Sequence, residues 1–248
     1  MAAFVARQAR IANPLMPLRL FRSRNVAGAN VVMALLVAGM FAMFFLGALY
    51  LQRILGYDPL EVGLAFLPAT IVMGTISLRY SERLNMRFGA RATLLPGMAS
   101  IAAGLLLFAR TPVDGSYITD VVPAVALIGL GAGLGFPSLM TLAMSGATPS
   151  DSGLASGLIN ATVQVGGAIG LAVLATIATE RTDGLRVDRE SAAAALNPGF
   201  HLAYLVGAVL VSAAFVVAFT VLRSDSSQEA EETEMLPVKT EPAYSEAA

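Results

Sequence analysis

The stretch 148–179 reads TPSDSGLASGLINATVQVGGAIGLAVLATIAT. It opens with a helix-start signature, Thr148-Pro149-Ser150-Asp151, a hydroxyl at the cap and an acid three residues on. No charged side chain appears after Asp151 until Glu180. A helix rises about 1.5 Å per residue and a bilayer needs about 20 apolar residues, so the segment is long enough to span. Successive residues turn by about 100°, which places Gly153, Gly157, Asn160, Gln164 and Gly167 on one narrow stripe. Leu154, Leu158, Ile159, Val163, Val165, Ile169 and Val173 cover the remaining sides. Glycines let backbones approach, and two amides need partners that lipid cannot supply. The stripe is therefore expected to lie against another helix inside a membrane.

Composition extends that conclusion to the whole chain. Of 248 residues 56% are hydrophobic and only 13% charged, with a mean hydropathy of +0.70. Soluble domains average about 25% charged residues, so this is a membrane protein. The chain contains no Cys, which excludes a disulfide framework, a thiolate nucleophile and a Cys-ligated metal. With a single His, His201, at a predicted membrane boundary, no metal site and no Ser/His/Asp triad can be assembled at membrane depth. No catalytic residue is expected, and nothing in the sequence suggests nucleic acid.

Working outward, charge-free runs and their punctuation give six spans, at about 26–52, 60–79, 91–109, 121–145, 149–179 and 200–222. Asp58-Pro59-Leu60-Glu61 reads as a cap, a Pro at the first helical position and a returning acid, opening the second span. Pro68 is expected to kink it. A basic loop with Arg79, Arg83, Arg87 and Arg91 comes next, and 180–199 reads as a mixed-charge loop ending in Asn197-Pro198-Gly199. Residues 1–25 form a basic linker with Arg7, Arg10, Arg19, Arg22 and Arg24, and 223–248 an acidic tail expected to be disordered. With both termini cytoplasmic, the inner segments hold eleven of the 16 Lys and Arg residues, so that orientation is expected.

Three further sets of residues stand out. In the first span Asn30, Met33, Val37, Phe41, Phe44 and Ala48 share one face at helical spacing. Such a Met/Phe surface suits bulky apolar cations, but in a span it also serves as core or lipid-facing surface. In the fourth span Gly129/Gly133 and Gly131/Gly135 are overlapping small-xxx-small pairs ahead of Pro137. Ser138, Thr141 and Ser145 continue a polar stripe there, with bonds back to their own helix backbone expected. Every acid lies at or beyond a span end, so none marks an intramembrane proton path.

Several stretches resemble the C-terminal half of a major facilitator superfamily transporter, most nearly the fourteen-helix drug:proton antiporter branch, over residues 4–222. Pro14-Leu15-Met16-Pro17-Leu18-Arg19-Leu20-Phe21 resembles the linker into the first helix of that half. Tyr50-Leu51-Gln52-Arg53-Ile54-Leu55-Gly56-Tyr57-Asp58-Pro59-Leu60-Glu61-Val62-Gly63 resembles its first outer loop. Gly153-Leu154-Ala155-Ser156-Gly157 through Gln164-Val165-Gly166-Gly167-Ala168 resembles its penultimate helix. One motif departs from the pattern. In the superfamily's Gly…Asp-Arg-x-Gly-Arg-Arg-type loop, Arg87, Gly89 and Arg91 fit, while Met86 replaces the Asp and Glu82 the leading Gly.

The resemblance implies an all-α membrane protein whose six helices form one half-bundle. It implies the C-terminal half of a proton-coupled exporter of small apolar or cationic compounds, in the plasma membrane, working by alternating access without a cofactor. Asn30, Met33, Phe41, Phe44, Ser138 and Thr141 would then line the substrate cavity. Gly153, Gly157, Asn160, Gln164, Gly167, Gly129 and Gly133 would form helix and gating interfaces, and Arg87, Gly89 and Arg91 the cytoplasmic loop motif. The expected partners are the lipid bilayer and an N-terminal half or a second copy. The competing reading is a free-standing six-span homodimer acting as a scaffold or binding protein.

Overall fold

A computed structural model describes residues 23–145, 151–186 and 192–223. The expected linker before Ser23, the cap at Thr148 and the acidic tail from Ser224 lie outside the described residues. The described chain is helical throughout: α1 (Arg24–Arg53), α2 (Pro59–Ala65), α3 (Leu67–Ile76), a π-turn (Ser77–Ser81), α4 (Glu82–Phe88), α5 (Ala90–Phe108), a second π-turn (Tyr117–Val121), α6 (Val122–Met144), α7 (Ser152–Arg186) and α8 (Ala192–Val221). These compose six spans long and apolar enough to cross a membrane, with α2, α3, the π-turn and α4 stacked as the second, Pro59–Phe88. The chain is a multi-pass membrane protein.

Local chemistry explains the starts and breaks. Asp58 accepts from the Glu61 amide at 2.8 Å and its own amide donates to the Glu61 carboxylate at 2.9 Å, the reciprocal cap that the spacing predicts. Pro68 sits in the first turn of α3, where its missing N–H costs nothing, and the helix breaks just before it at Phe66. Two segments differ from the sequence expectation. The basic loop is helical to Phe88, and the turn shrinks to Gly89, whose φ of 85° lies in the left-handed region that glycine tolerates. The mixed-charge loop is helical as well: α7 runs to Arg186 and α8 starts at Ala192, with Asn197, Pro198 and Gly199 inside it. Packing overrides the turn signal here. A Cβ on Gly199 would collide with the Ala178 carbonyl and the Thr182 hydroxyl of α7, so this glycine allows the two helices to touch.

Helix pairing has a pattern. The first span packs on the fifth and sixth, and the fourth packs on the second and third. The first also meets the fourth, and the third meets the sixth. Exchanging spans one to three with four to six carries these contacts onto one another, while the exchanged spans run in opposite directions. Apart from the fifth–sixth pairing, which is closer than the second–third, the packing follows an inverted repeat about an axis in the membrane plane. The first and fourth spans are the centre, with 53% and 56% of their most apolar windows buried. The second and fifth are the least covered, at 17% and 22%.

Each end of the bundle is tied by side chains that satisfy helix termini. At one end Arg24 donates to the Thr220 carbonyl at 2.8 Å, and Arg91 donates to the Phe219 carbonyl with its guanidinium 5.2 Å over the Phe219 ring. Asn25 clamps Arg223 twice, accepting from its amide at 2.8 Å and donating to its carbonyl at 3.3 Å. Cations on the last carbonyls of α8 suit the negative end of the helix dipole. At the other end Tyr50 donates to the Pro112 carbonyl at 2.8 Å, and Asn197 and His201 both donate to the Thr111 carbonyl, at 2.9 and 2.7 Å. A carbonyl only accepts, so His201 carries a proton on Nε2.

Small residues set the closest approaches. A Cβ on Gly170 would overlap the Ala38 backbone of α1, whereas one on Gly157 would meet nothing within 4 Å. Gly170→Leu should therefore cost about 1–3 kcal/mol of stability, and Gly157→Leu should change it by less than about 0.5 kcal/mol. Denaturation of the purified protein in detergent, titrated with SDS, measures both, and equal losses would refute the α1–α7 crossing.

Candidate functional site

The crossing of α1 with α7 organises the side of the bundle where the predicted site residues gather. Ala34 and Ala38 on α1 and Gly166 and Gly170 on α7 are each four residues apart, one helical turn, so the two small faces lie directly against each other. Adjoining this contact, a groove of about 680 Å³ runs between the helices, almost wholly apolar, with Asn30 and Thr162 as its polar points. Asn30 donates to the Val26 carbonyl one turn back at 2.8 Å, and its Oδ1 accepts from the Thr162 hydroxyl at 2.9 Å. A buried amide is thereby satisfied by one partner on each helix.

Further along α1, the Phe41 ring covers Gly167, which has no side chain to push it away. Phe44 stacks on Phe66 from the α2–α3 break, ring centres 5.6 Å apart at 49°. Phe41 and Phe44 remain 42% and 41% exposed and form an aromatic ledge on the outer surface of the chain. The face read along the first span is therefore divided. Phe41 and Phe44 are exposed, and Asn30 is held in the helix contact. Met33 is 3% exposed and belongs to the core, so it lines no cavity here.

The fourth span divides in the same way. Thr141 is exposed and its hydroxyl donates to the Pro137 carbonyl at 3.0 Å. Ser138 is fully buried rather than facing a cavity. Its oxygen lies 2.7 Å from both the Leu134 carbonyl and the Asn85 side chain of α4. The Ser138 hydroxyl is the donor, its one proton shared between the Leu134 carbonyl and the Asn85 Oδ1. Gly129 and Gly133 take the backbone of the second span: a Cβ on Gly129 would overlap the Ala69 carbonyl, and one on Gly133 would lie 2.7 Å from the Met73 carbonyl.

The stripe on α7 has a different surrounding from the one its composition suggests. Gly153, Gly157, Asn160 and Gln164 are exposed, about a third of a turn from the Gly166/Gly170 contact, and only Gly167 is buried. Neither amide has a hydrogen-bond partner among the described residues. Arg87 is exposed beside the Phe88 ring, Gly89 is the turn itself, and Arg91 is spent on α8. Among the described residues no cluster of His, Cys, Asp or Glu could hold a metal ion. No motif in the sequence marks Thr162, Gly170, Phe66 or Asn85 as site residues. The matched four-residue spacing of Ala34/Ala38 and Gly166/Gly170 was the signal that could have found the crossing.

The family model for the Major Facilitator Superfamily matches residues 3–171. The chain belongs to the major facilitator superfamily. Among curated proteins it is 30% identical to a puromycin resistance protein of Streptomyces alboniger over 247 residues, 96% of this chain and 49% of that one. It is 38% identical to a cephamycin export protein of Amycolatopsis lactamdurans over 183 residues, 73% and 38% of the two chains. A tetracenomycin C resistance and export protein of Streptomyces glaucescens is 32% identical over 189 residues, 76% and 35%. The superfamily member thus spans about half the length of these relatives, or less.

Thr162→Val removes the donor to Asn30 while keeping the shape. It should destabilise the protein by about 0.6 kcal/mol, and at most about 1.7, the range for hydrogen bonds between membrane helices. Thr176→Val, whose hydroxyl bonds only the Ala172 carbonyl of its own helix at 2.8 Å, should be neutral in the same SDS titration. Equal effects would remove the Asn30–Thr162 bond as a link between helices.

Proposed function

We propose that this chain is one six-helix half of a drug exporter, the part corresponding to the C-terminal half of its longer relatives. The observation that carries the reading is the outward face of α7. Asn160 and Gln164 project from a membrane span with no partner among the described residues. An amide moved into hydrocarbon without a hydrogen bond costs roughly 2–7 kcal/mol, so that face calls for a polar partner or a water-filled cavity. The fifth span, which carries this face, and the second are the two least covered.

In this reading the other half, or a second copy, packs on those two spans, and rocking between the halves exposes the path to alternate sides of the plasma membrane. Phe41, Phe44 and Thr141 form the wall on this side of the path. An aromatic ledge accommodates small apolar or cationic compounds. Gly153 and Gly157, with open space above them, let the partner's backbone slide close. The coupling ion is a proton. Among the described residues Asp58, Glu61, Glu82, Asp114, Asp120, Asp151, Glu180 and Asp183 sit at or near helix ends or between helices, so the group that carries it belongs to the other half.

The purified 248-residue chain in liposomes, given a pH gradient and a fluorescent cationic drug, should move no more drug than protein-free liposomes. Gradient-driven uptake by the chain alone would overturn the half-transporter reading in favour of a homodimeric carrier. Orientation is tested separately, with the arginine-rich end cytoplasmic. Ser81 is fully buried, so a cysteine at Met86, 74% exposed on α4, is the better probe of that end. In intact cells Met86→Cys should resist an impermeant maleimide while Ser116→Cys reacts. The opposite pattern would invert the topology.

A further inference from the structure

The end of the bundle that holds the start of α1 and the end of α8 carries a row of arginines without matching acids. Arg79, Arg83 and Arg87 are spaced by four along the π-turn and α4, so they line one side of that helix over about 12 Å. Arg91 continues the row past the Gly89 turn. Arg79, Arg83 and Arg87 are exposed, and none forms an ion pair among the described residues. Glu82 is the one acid within the row.

The last described helix ends beside this row. Arg91 bonds the Phe219 carbonyl and Arg24 the Thr220 carbonyl, so the chain passes Arg223 within a few residues of both guanidinium groups. Residues 224–235 then read SDSSQEAEETEM, with Asp225, Glu229, Glu231, Glu232 and Glu234 and no base. An extended chain covers at most about 3.3–3.6 Å per residue, so Glu229 can reach about 20 Å from Arg223 and Glu234 nearly twice that. The whole arginine row is within reach.

We propose that the acidic segment 225–234 docks on the row formed by Arg79, Arg83 and Arg87 as an intramolecular strap beside the turn between the second and third spans. Charge complementarity and the point at which the chain leaves α8 select this occupant. Single exposed ion pairs are weak, but a tether holds the partners at an effective concentration near millimolar, and several pairs act together. Anionic lipid headgroups are the competing claimant for the same guanidinium groups. Docking of this kind requires neither transport activity nor a particular side of the membrane for this end.

The test uses the full chain, which has no native cysteine, with Met86→Cys and Ser227→Cys spin-labelled in nanodiscs of phosphatidylcholine. A short label-to-label distance should dominate at low salt. It should be lost near 1 M salt, where screening acts over about 3 Å. It should also be lost when Glu229, Glu231, Glu232 and Glu234 are all changed to Gln, substitutions that touch no packed helix. Loss on adding phosphatidylglycerol would support the docking, with lipid as a competitor. A broad distribution at low salt in phosphatidylcholine, or one indifferent to salt and tail charge, would overturn the proposal. If the distribution is broad and phosphatidylglycerol still binds the arginine row, the row is a lipid surface instead.

Discussion

Hydrocarbon offers no hydrogen bonds, and that one constraint organises the rest of this structure. Backbone groups facing hydrocarbon have to be satisfied by protein, which is why the described chain is helix almost from end to end. Hydroxyls obey the rule by folding back: Thr70, Thr75, Thr176, Thr179, Ser212 and Thr220 each donate to a carbonyl of the preceding turn. Amides cannot do this fully, because each offers two donors and an acceptor with two lone pairs. Asn30 needs a second helix, and it finds one in Thr162. Asn25, Asn85 and Asn197 likewise tie separate elements together.

Lipid tails are as apolar as leucine, so burial alone does little to hold helices together in the bilayer, and close packing must do it. Glycine and alanine are therefore placed where backbones cross: Gly170 on Ala38, Gly39 on Gly207, Gly97 on Gly131, Gly129 on Ala69. These contacts bring the inverted repeat together around the first and fourth spans. They also separate glycines of two kinds. Those at crossings have no room for a Cβ, while Gly63, Gly74, Gly153 and Gly157 have open space above them.

The number and order of the spans were legible from hydropathy, and the Asp58–Glu61 cap was legible from spacing, because both are local properties. Helix ends next to charge were not. Arg79, Arg83, Glu180 and Asp183 mark where the apolar run stops, but a helix can continue past hydrocarbon when nothing breaks its backbone, and here it does so to Phe88 and to Arg186. The interior turn signal Asn197-Pro198-Gly199 lost to tertiary contacts with α7 and the Thr111 carbonyl. Facing was the least legible feature. A polar, glycine-bearing stripe looks the same whether its neighbour lies in the chain or outside it, so Gly153–Gln164 and Gly166/Gly170 could not be ranked from composition. Met33 and Phe41 share a helical face, but α7 crosses α1 between the surroundings of the two.

The second and fifth spans occupy equivalent places in the inverted repeat, and both are poorly covered, yet their exposed faces are not chemically equivalent. Along the apolar part of the second, Thr70 and Thr75 are each already bonded to their own helix, at 3.3 and 2.7 Å. That face is at rest against lipid, protein or water. On the fifth, Thr176 and Thr179 are similarly content, but Asn160 and Gln164 retain unmet donors and acceptors among the described residues. The need for a polar neighbour is thus concentrated on one span and on about one and a half helical turns of it. A partner that met the bundle equally along both faces would leave this difference without a cause. One whose own polar groups sit opposite Asn160 and Gln164 removes the cost of the two amides and leaves the second span free to move against smooth, self-satisfied surface.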